Sequence, residues 1–456
     1  MKKMLCFLFA LLFLVPVMAN AQCFQKVYLG AGYTFALKED NTLWATGSNN
    51  WSQLGIGTTS GVGVRTFTQI NTDTNWQIIS AGYNHTAAIK TDGSLWVWGS
   101  NQMGQLGLGS NVTSIAVPTR VGNATNWQTV AAGSYFTIAV KTDGTLWTWG
   151  INSDGELGLG RYNGDERRPV QVGQDNDWQT VWAGNGRAIA RKANGIVYTW
   201  GNNSVGQLGN GTTADSNMPI AINGTDWDDF SIGGAHTLAL KTDGTLWAWG
   251  YNFDGQLGNG TTVATTVPVQ IGSDVWISVS AGQNASAGLK AAGTIWTWGS
   301  YENGQLGTNT HEDALLPVQI GNETNWQFIV VSPSHNMFAM NDTAFYAWGF
   351  NSGTFGNNDY GSGDLPTAVG CAIMANKNAA KNNFIIYPNP VDNVLYLKDN
   401  IGITKGTVLI TDVSGKTVLK QSGDFTNINV EKLVPGIYFI SIRAKDTMHI
   451  KKFIKK

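Results

Sequence analysis

Charge is scarce in this chain. Only 13% of its 456 residues are Asp, Glu, Lys or Arg, and the formal net charge is −2. A protein that grips nucleic acid through phosphates needs clustered Lys and Arg, so this composition excludes that class. Cysteine is nearly absent, with 3 in all, which rules out a small disulfide-dense scaffold or a cysteine-rich metal ribbon. Long apolar runs are missing too. The longest, Met4–Met18, falls short of the ~20 residues a membrane helix needs. Lys2 and Lys3 precede this run and Ala19-Asn20-Ala21 follows it. That is a charged start, a short apolar stretch and a small-residue cleavage site, and it predicts a signal peptide over 1–21 cut between Ala21 and Gln22. A lipoprotein would carry a small residue before Cys23, where Gln22 stands.

Glycine and tryptophan are abundant, with 56 and 19 copies, and they are periodic. One glycine recurs at Gly30, Gly82, Gly133, Gly184, Gly233 and Gly282, with Ser332 in the seventh slot. An aromatic six residues upstream keeps the beat (Phe24, Trp76, Trp127, Trp178, Trp227, Trp276, Trp326), as does one fourteen downstream (Trp44, Trp96, Trp147, Tyr198, Trp247, Trp296, Tyr346). A period near ~50 residues signifies stacked supersecondary units. Within a unit, short apolar runs such as Thr137–Val140 and Leu146–Trp149 flank Asp-Gly pairs (Asp92-Gly93, Asp143-Gly144, Asp243-Gly244), the chemistry of a tight hairpin. A strand before (Gln128–Ala132) and one after (around Pro169–Val172) make four per unit. Four strands repeated radially make a propeller blade, and an open β-solenoid is the alternative.

The segment ISAGYNHTAAIKTDGSLWVWGSNQMGQLGLG, Ile79 to Gly109, resembles the repeat of the regulator of chromosome condensation. The likeness rests on the small-small-Gly-x-x-His-Thr strand, the Trp-Gly strand end and the Gly-Gln-Leu-Gly loop, which recurs at Gly104–Gly107, Gly206–Gly209, Gly255–Gly258 and Gly304–Gly307, with variants Ser52–Gly55 and Gly155–Gly158. It covers Phe24 to Gly370 and implies a seven-bladed β-propeller, here assigned to 22–371. The seventh unit departs most, with Ser332, Thr343 and Thr354-Phe355-Gly356 replacing repeat residues.

Beyond a small polar linker at 372–383, tryptophan disappears. Alternating apolar runs over 384–456, broken at Ser414-Gly415 and Pro435-Gly436, predict a small C-terminal β-sandwich. Tyr387-Pro388-Asn389-Pro390, Gly415-Lys416 and Pro435-Gly436-Ile437-Tyr438 resemble the type A sorting domain of the bacterial type IX secretion system. That resemblance implies a protein engaged by the type IX machinery and sent, via the periplasm, to the outer cell surface or medium. Charge divides at the same place. Residues 22–371 carry 14 Lys and Arg against 25 Asp and Glu, a net of −11, and 372–456 carry 13 against 6, a net of +7. Once Cys6 leaves with the leader, Cys23 and Cys371 remain, beside the first and last landmarks of the repeat array. Ring closure should bring them together, and export favours a disulfide there.

No catalytic constellation, metal set or cofactor motif emerges. His85, His236 and His335 read as one slot that Tyr33, Phe136, Arg187 and Ala285 fill elsewhere, the mark of a structural position. Asp92, Asp143 and Asp243 read as turn residues. The propeller has no Gly-Lys-Ser/Thr, and Gly415-Lys416-Thr417 lacks the upstream glycine of a phosphate loop, with Ile410 in its place. In-phase Trp98, Trp149, Trp200, Trp249, Trp298 and Trp348 read as core. The loops after Trp-Gly carry Trp51, Met103, Tyr251, Phe253, Tyr301 and Phe350 where other units have Ser, Asn or Asp. Those six are the candidate binding residues. The reading is an exported, non-enzymatic protein-binding module without a cofactor. The alternatives are a polysaccharide-binding lectin or adhesin, a hydrolase, and, by family resemblance, guanine-nucleotide exchange.

Overall fold

The computed structural model describes residues 23–372, apart from 39, 59 and 342–343, and residues 384–455, apart from 388–390, 400–404, 413–416, 425–426 and 445–446. The leader with Ala21 and Gln22, nearly all of the linker, Thr343, Pro388, Asn389, Pro390 and Gly415 lie outside the described residues.

Seven antiparallel sheets follow one another along residues 23–372. Blade 3 is typical: Trp127–Ala132, Phe136–Lys141, Leu146–Gly150 and Glu166–Gln171, hydrogen-bonded in sequence order. The first strand of each blade lines a central channel, and the fourth forms the outer edge. Most outer strands carry a proline (Pro118, Pro169, Pro219, Pro268, Pro317, Pro366), which offers no N–H for edge-to-edge pairing. No helix occurs among the described residues.

The ring is closed by an exchange. Blade 7 pairs Trp326–Val331, Asn336–Asn341, Ala344–Gly349 and Gly363–Ala372, and then gains a fifth strand from the chain start, Cys23–Phe24, running parallel to the last. In that register Cys23 stands opposite Cys371 and Phe24 opposite Ala372. Phe24 thus belongs to blade 7's sheet, whereas its repeat equivalents Trp76 and Trp127 open the first strands of their own blades.

Blades interlock through the tryptophans. Trp98, Trp149, Trp200, Trp249, Trp298 and Trp348 are fully buried. Each indole N–H donates to the main-chain carbonyl of the Gln (or Glu) in the preceding blade's Gly-Gln-Leu-Gly loop: Gln53, Gln105, Glu156, Gln207, Gln256 and Gln305, at 2.9–3.0 Å. The motif's last glycine makes room for this. A Cβ on Gly107 would lie 2.8 Å from the Trp149 indole nitrogen, and its φ of +66° suits glycine. At the seam between blades 7 and 1, Thr46 replaces the tryptophan and its hydroxyl proton is shared between Val64 O of its own blade at 2.7 Å and Gly353 O across the seam at 3.0 Å. Phe24, Phe67, Phe338, Phe345 and Phe355 fill the space.

Residues 384–455 form a second unit of two sheets. One contains Phe384–Tyr387, Val394–Asp399 and Asn427–Asn429, the other Lys405–Asp412, Thr417–Asp424, Gly436–Ala444 and Thr447–Lys455. They enclose Val391, Leu395, Val408, Ile410, Ile428, Val430, Ile440 and Phe453, as a small β-sandwich does.

Candidate interaction face and central channel

Because the four strands alternate in direction, the connections alternate between the two faces of the disc. The Asp-Gly turns occupy one face. There Asp92, Asp143 and Asp243 accept hydrogen bonds from the backbone N–H and hydroxyl of Ser94, Thr145 and Thr245, so they are turn residues. For Asp92 and Asp143 these bonds hold the carboxyl below its usual range.

The opposite face carries the short turns between first and second strands and the long loops after Trp-Gly. A buried asparagine clamps nearly every long loop. The Oδ1 atoms of Asn49, Asn101, Asn152, Asn203, Asn252 and Asn351 accept from the N–H of Leu54, Leu106, Leu157, Leu208, Leu257 and Phe355. Their amides donate across the loop, as Asn152 does to Asn163 O at 3.0 Å. Four residues after the asparagine, the Gln side chain accepts from the backbone two residues before it, as Gln53 does from Trp51 N–H. In blade 3 the equivalent is Glu156, whose carboxylate accepts from Asp154 N–H at 2.7 Å. Burial pushes its pKa up to about 7, reinforced by neighbouring Asp154 and Asp165.

These clamps fix where the six candidate residues sit. Phe253 is 67% exposed and packs against Tyr251, ring centroids 4.8 Å apart. Phe350 and Trp51 are exposed, whereas Tyr251 and Met103 are half-buried. Tyr301 differs in kind. It occupies blade 6's clamp position, leans on that blade's core and meets the His311 ring at 5.9 Å. The six are distributed one or two per blade along an arc through blades 5, 6, 7, 1 and 2, and only Phe350 also reaches the channel wall.

The histidine slot needs one correction. His85 and His236 are fully buried and their Nε2 atoms lie 2.9 Å from the hydroxyls of Thr137 and Ser286 in the next blade. Tyr33 and Arg187 bridge to the next blade from the same position. In blade 7, however, the slot belongs to Asn336, paired with Gly349 as His85 is with Gly99. The turn before it is one residue longer, and His335, at φ +64°, lies in that turn at the channel mouth. Counting from Ser332 missed the insertion. Among the described residues no group of three or more His, Cys, Asp or Glu could hold a metal ion.

The channel holds a cavity of about 960 Å³. Ser80, Ser231 and Ser280 on its wall accept from Ala132, Ala281 and Val331 N–H of the next blade, satisfying backbone that no further strand covers. Tyr83 and Tyr135 meet at its mouth, ring centroids 5.8 Å apart. Sequence reasoning missed them because it sought aromatics that break the repeat only in the Trp-Gly loops. The same test on the Gly-x-x turn finds both, in slots that Ala31 and Gly32 fill in blade 1.

A seven-bladed disc with a loop face defines a repeat propeller. The chain belongs to the family of the regulator of chromosome condensation (RCC1) repeat, which matches at 40–89, 92–140, 143–190, 194–240, 243–289 and 292–339. Each match runs from the third strand of one blade to the second strand of the next. Seven blades therefore contain six unbroken repeats, and the seventh is split between the two ends of the array. Residues 385–456 match the secretion system C-terminal sorting domain. Similar curated proteins include the ultraviolet-B receptor UVR8 of Arabidopsis thaliana, 31% identical over 202 residues (43% of this chain, 46% of the relative). The regulator of chromosome condensation of Xenopus laevis is 32% identical over 139 residues (30% and 33%). The chain thus spans less than half the length of either. Among solved structures, Prp20p of Saccharomyces cerevisiae superposes with a TM-score of 0.64 at 20% identity, covering 80% of this chain and 90% of that one. Human WBSCR16 gives 0.60 at 23%, covering 68% and 85%.

Proposed function

We propose that residues 22–371 are an exported, non-enzymatic module whose Trp-Gly-loop face binds a protein partner, with 384–456 as the export signal. The observation that carries this reading is the arc of exposed aromatics held by rigid clamps: Trp51, Phe253 and Phe350 stand on loops whose backbones are fixed from below. Binding energy concentrates in such anchored aromatics, and preorganised loops lose little entropy on docking. Matches to a secretion sorting domain support a partner outside the cell envelope. Guanine-nucleotide exchange, which the family resemblance suggests, would require a cytoplasmic partner. The test is affinity capture from culture and host extracts with the mature chain. Phe253→Ala and Trp51→Ala should each weaken capture by roughly 2 kcal/mol while the melting temperature holds. Equal capture by both variants would remove the loop face from consideration.

A further inference from the structure

The channel mouth is uncharged in a disc that is not. Residues 22–371 carry a net of −11, yet no residue lining the 960 Å³ cavity is Asp, Glu, Lys or Arg. Burial lowers the pKa of its one imidazole, His335, against the opposing pull of nearby Glu302, which is not a lining residue. A volume of this size is typical of pockets that bury small ligands. Recognition of a phosphate, carboxylate or cation calls for opposite charge or ligating groups, and the wall has none.

What the wall offers is aromatic on one side and polar on the other. Tyr83, 45% exposed, and Tyr135 form a pair from blades 2 and 3. Deeper in, Trp182 lines the wall with its indole N–H already donated to Asp229 Oδ1 at 3.0 Å, so a ligand meets its ring. Across the ring, blades 6 and 7 supply the amide of Gln283, the hydroxyl of Ser334 and the ring of His335. Between the two sides Asn185 accepts from the Ser134 hydroxyl through Oδ1 at 3.0 Å, which leaves its two amide N–H groups for a ligand. Blade 5 presents Gly233-Gly234, without side chains, and so keeps the mouth open.

We propose that this mouth binds the end of a neutral saccharide chain. Sugar C–H faces stack on aromatic rings, and uncharged hydroxyls pair with amides and hydroxyls, which is the combination found here. An anionic glycan would be repelled by the acidic disc and find no cation in the wall. The site shares only Phe350 with the protein-binding rim; Tyr83, Tyr135, Trp182 and Asn185 are not among the rim residues.

The test is calorimetric titration of the mature full chain with maltohexaose, cellohexaose and N-acetylchitohexaose, with hexagalacturonate as the charged counterpart. At least one neutral hexaose should bind with a dissociation constant below about 1 mM. Tyr83→Ala and Asn185→Ala should each weaken it about tenfold or more. Both side chains sit in exposed turns, so the thermal transition should stay in place. Phe253→Ala, on the rim, should leave saccharide binding unchanged. The proposal is overturned if no neutral hexaose binds at about 10 mM, if binding survives Tyr83→Ala and Asn185→Ala, or if hexagalacturonate binds as tightly. Loss of protein capture in Phe253→Ala with saccharide binding intact separates the two sites.

Discussion

Glu156 is the position where a single atom exchange should make this fold depend on pH. Six of the seven blades carry Gln or Glu at this loop position, and only blade 3 carries the acid. The side chain is 1% exposed and accepts from Asp154 N–H, the bond that Gln53 and Gln105 make in their loops. A protonated Glu156 is therefore the near-isostere of the glutamine it replaces. An unfolded chain ionises this carboxyl near 4.5, whereas the fold holds it at about 7. The folded state thus keeps the proton more tightly. Below pH ~4.5 both states are protonated and nothing is lost. Between ~4.5 and ~7 the unfolded chain releases its proton first and stability declines, and above ~7 the deficit is complete. Each tenfold difference in proton affinity is worth about 1.4 kcal/mol, so the full deficit is about 3 kcal/mol. Glu156→Gln removes it. Urea unfolding at pH 8 should show the variant more stable by about 2–3 kcal/mol, and at pH 4.5 the two proteins should nearly coincide. A stability difference that is the same at both pH values, or a variant less stable at pH 8, would refute the reasoning.

The buried histidines act at the other end of the scale. Burial lowers His85 and His236 to about 3, so the fold loses stability as pH falls from 6.5, by about 2 kcal/mol per histidine at pH 5. His85→Phe, which copies Phe136 in the same slot, should flatten that acid limb in urea midpoints measured between pH 7 and 5, and an unchanged limb would count against it. Trp149→Ala removes a fully buried indole and its bond to Gln105 O, at a cost of about 3–5 kcal/mol. With an unfolding entropy of about 2.1 cal/mol/K per residue, calorimetry should show a fall in melting temperature of about 5 °C, against no change for Trp51→Ala. Cys23 and Cys371 are register partners on adjacent parallel strands, and neighbouring strands lie ~4.8 Å apart, inside the Cα range a disulfide spans. Peptide mapping without reductant should recover the cross-linked pair, and free thiols at both positions would rule it out.

The propeller was legible because its repeat writes both core and turns in phase. The tryptophan fourteen residues after the fixed glycine and the one two further on fall on a strand whose neighbours are set by an Asp-Gly turn, so face and register follow together. The Gln-Leu-Gly motif was legible as a repeat but not as a joint. Its role is to offer a carbonyl to another blade's indole, a partner some 42–45 residues away that local pattern does not reveal. His335 was misplaced because a one-residue insertion in a turn leaves no mark on composition. Tyr301 was read as a loop aromatic because the clamp asparagines are defined by buried hydrogen bonds rather than by hydrophobic pattern. The candidate rim was therefore visible as an arc of aromatics, whereas the channel mouth depends on which turns the ring brings face to face.

The interlock between blades has a direction. Each indole's acceptor comes earlier in the chain than the indole itself: Gln53 precedes Trp98, Gln105 precedes Trp149, and so on to Gln305 and Trp348. A chain emerging from its amino end would find each new blade's socket already made, so the array can be laid down in order of synthesis. Among the joints made at the indole position, only the final seam runs backwards. There Thr46 must wait for Gly353 and the segment Cys23–Phe24 for Gly363–Ala372, some three hundred residues later. The first blade is thus the last to be finished. A chain released before the end of the seventh unit should carry an unsealed gap with its earliest residues still open to proteases, and limited proteolysis of such truncations, cutting first at the amino end, would report it.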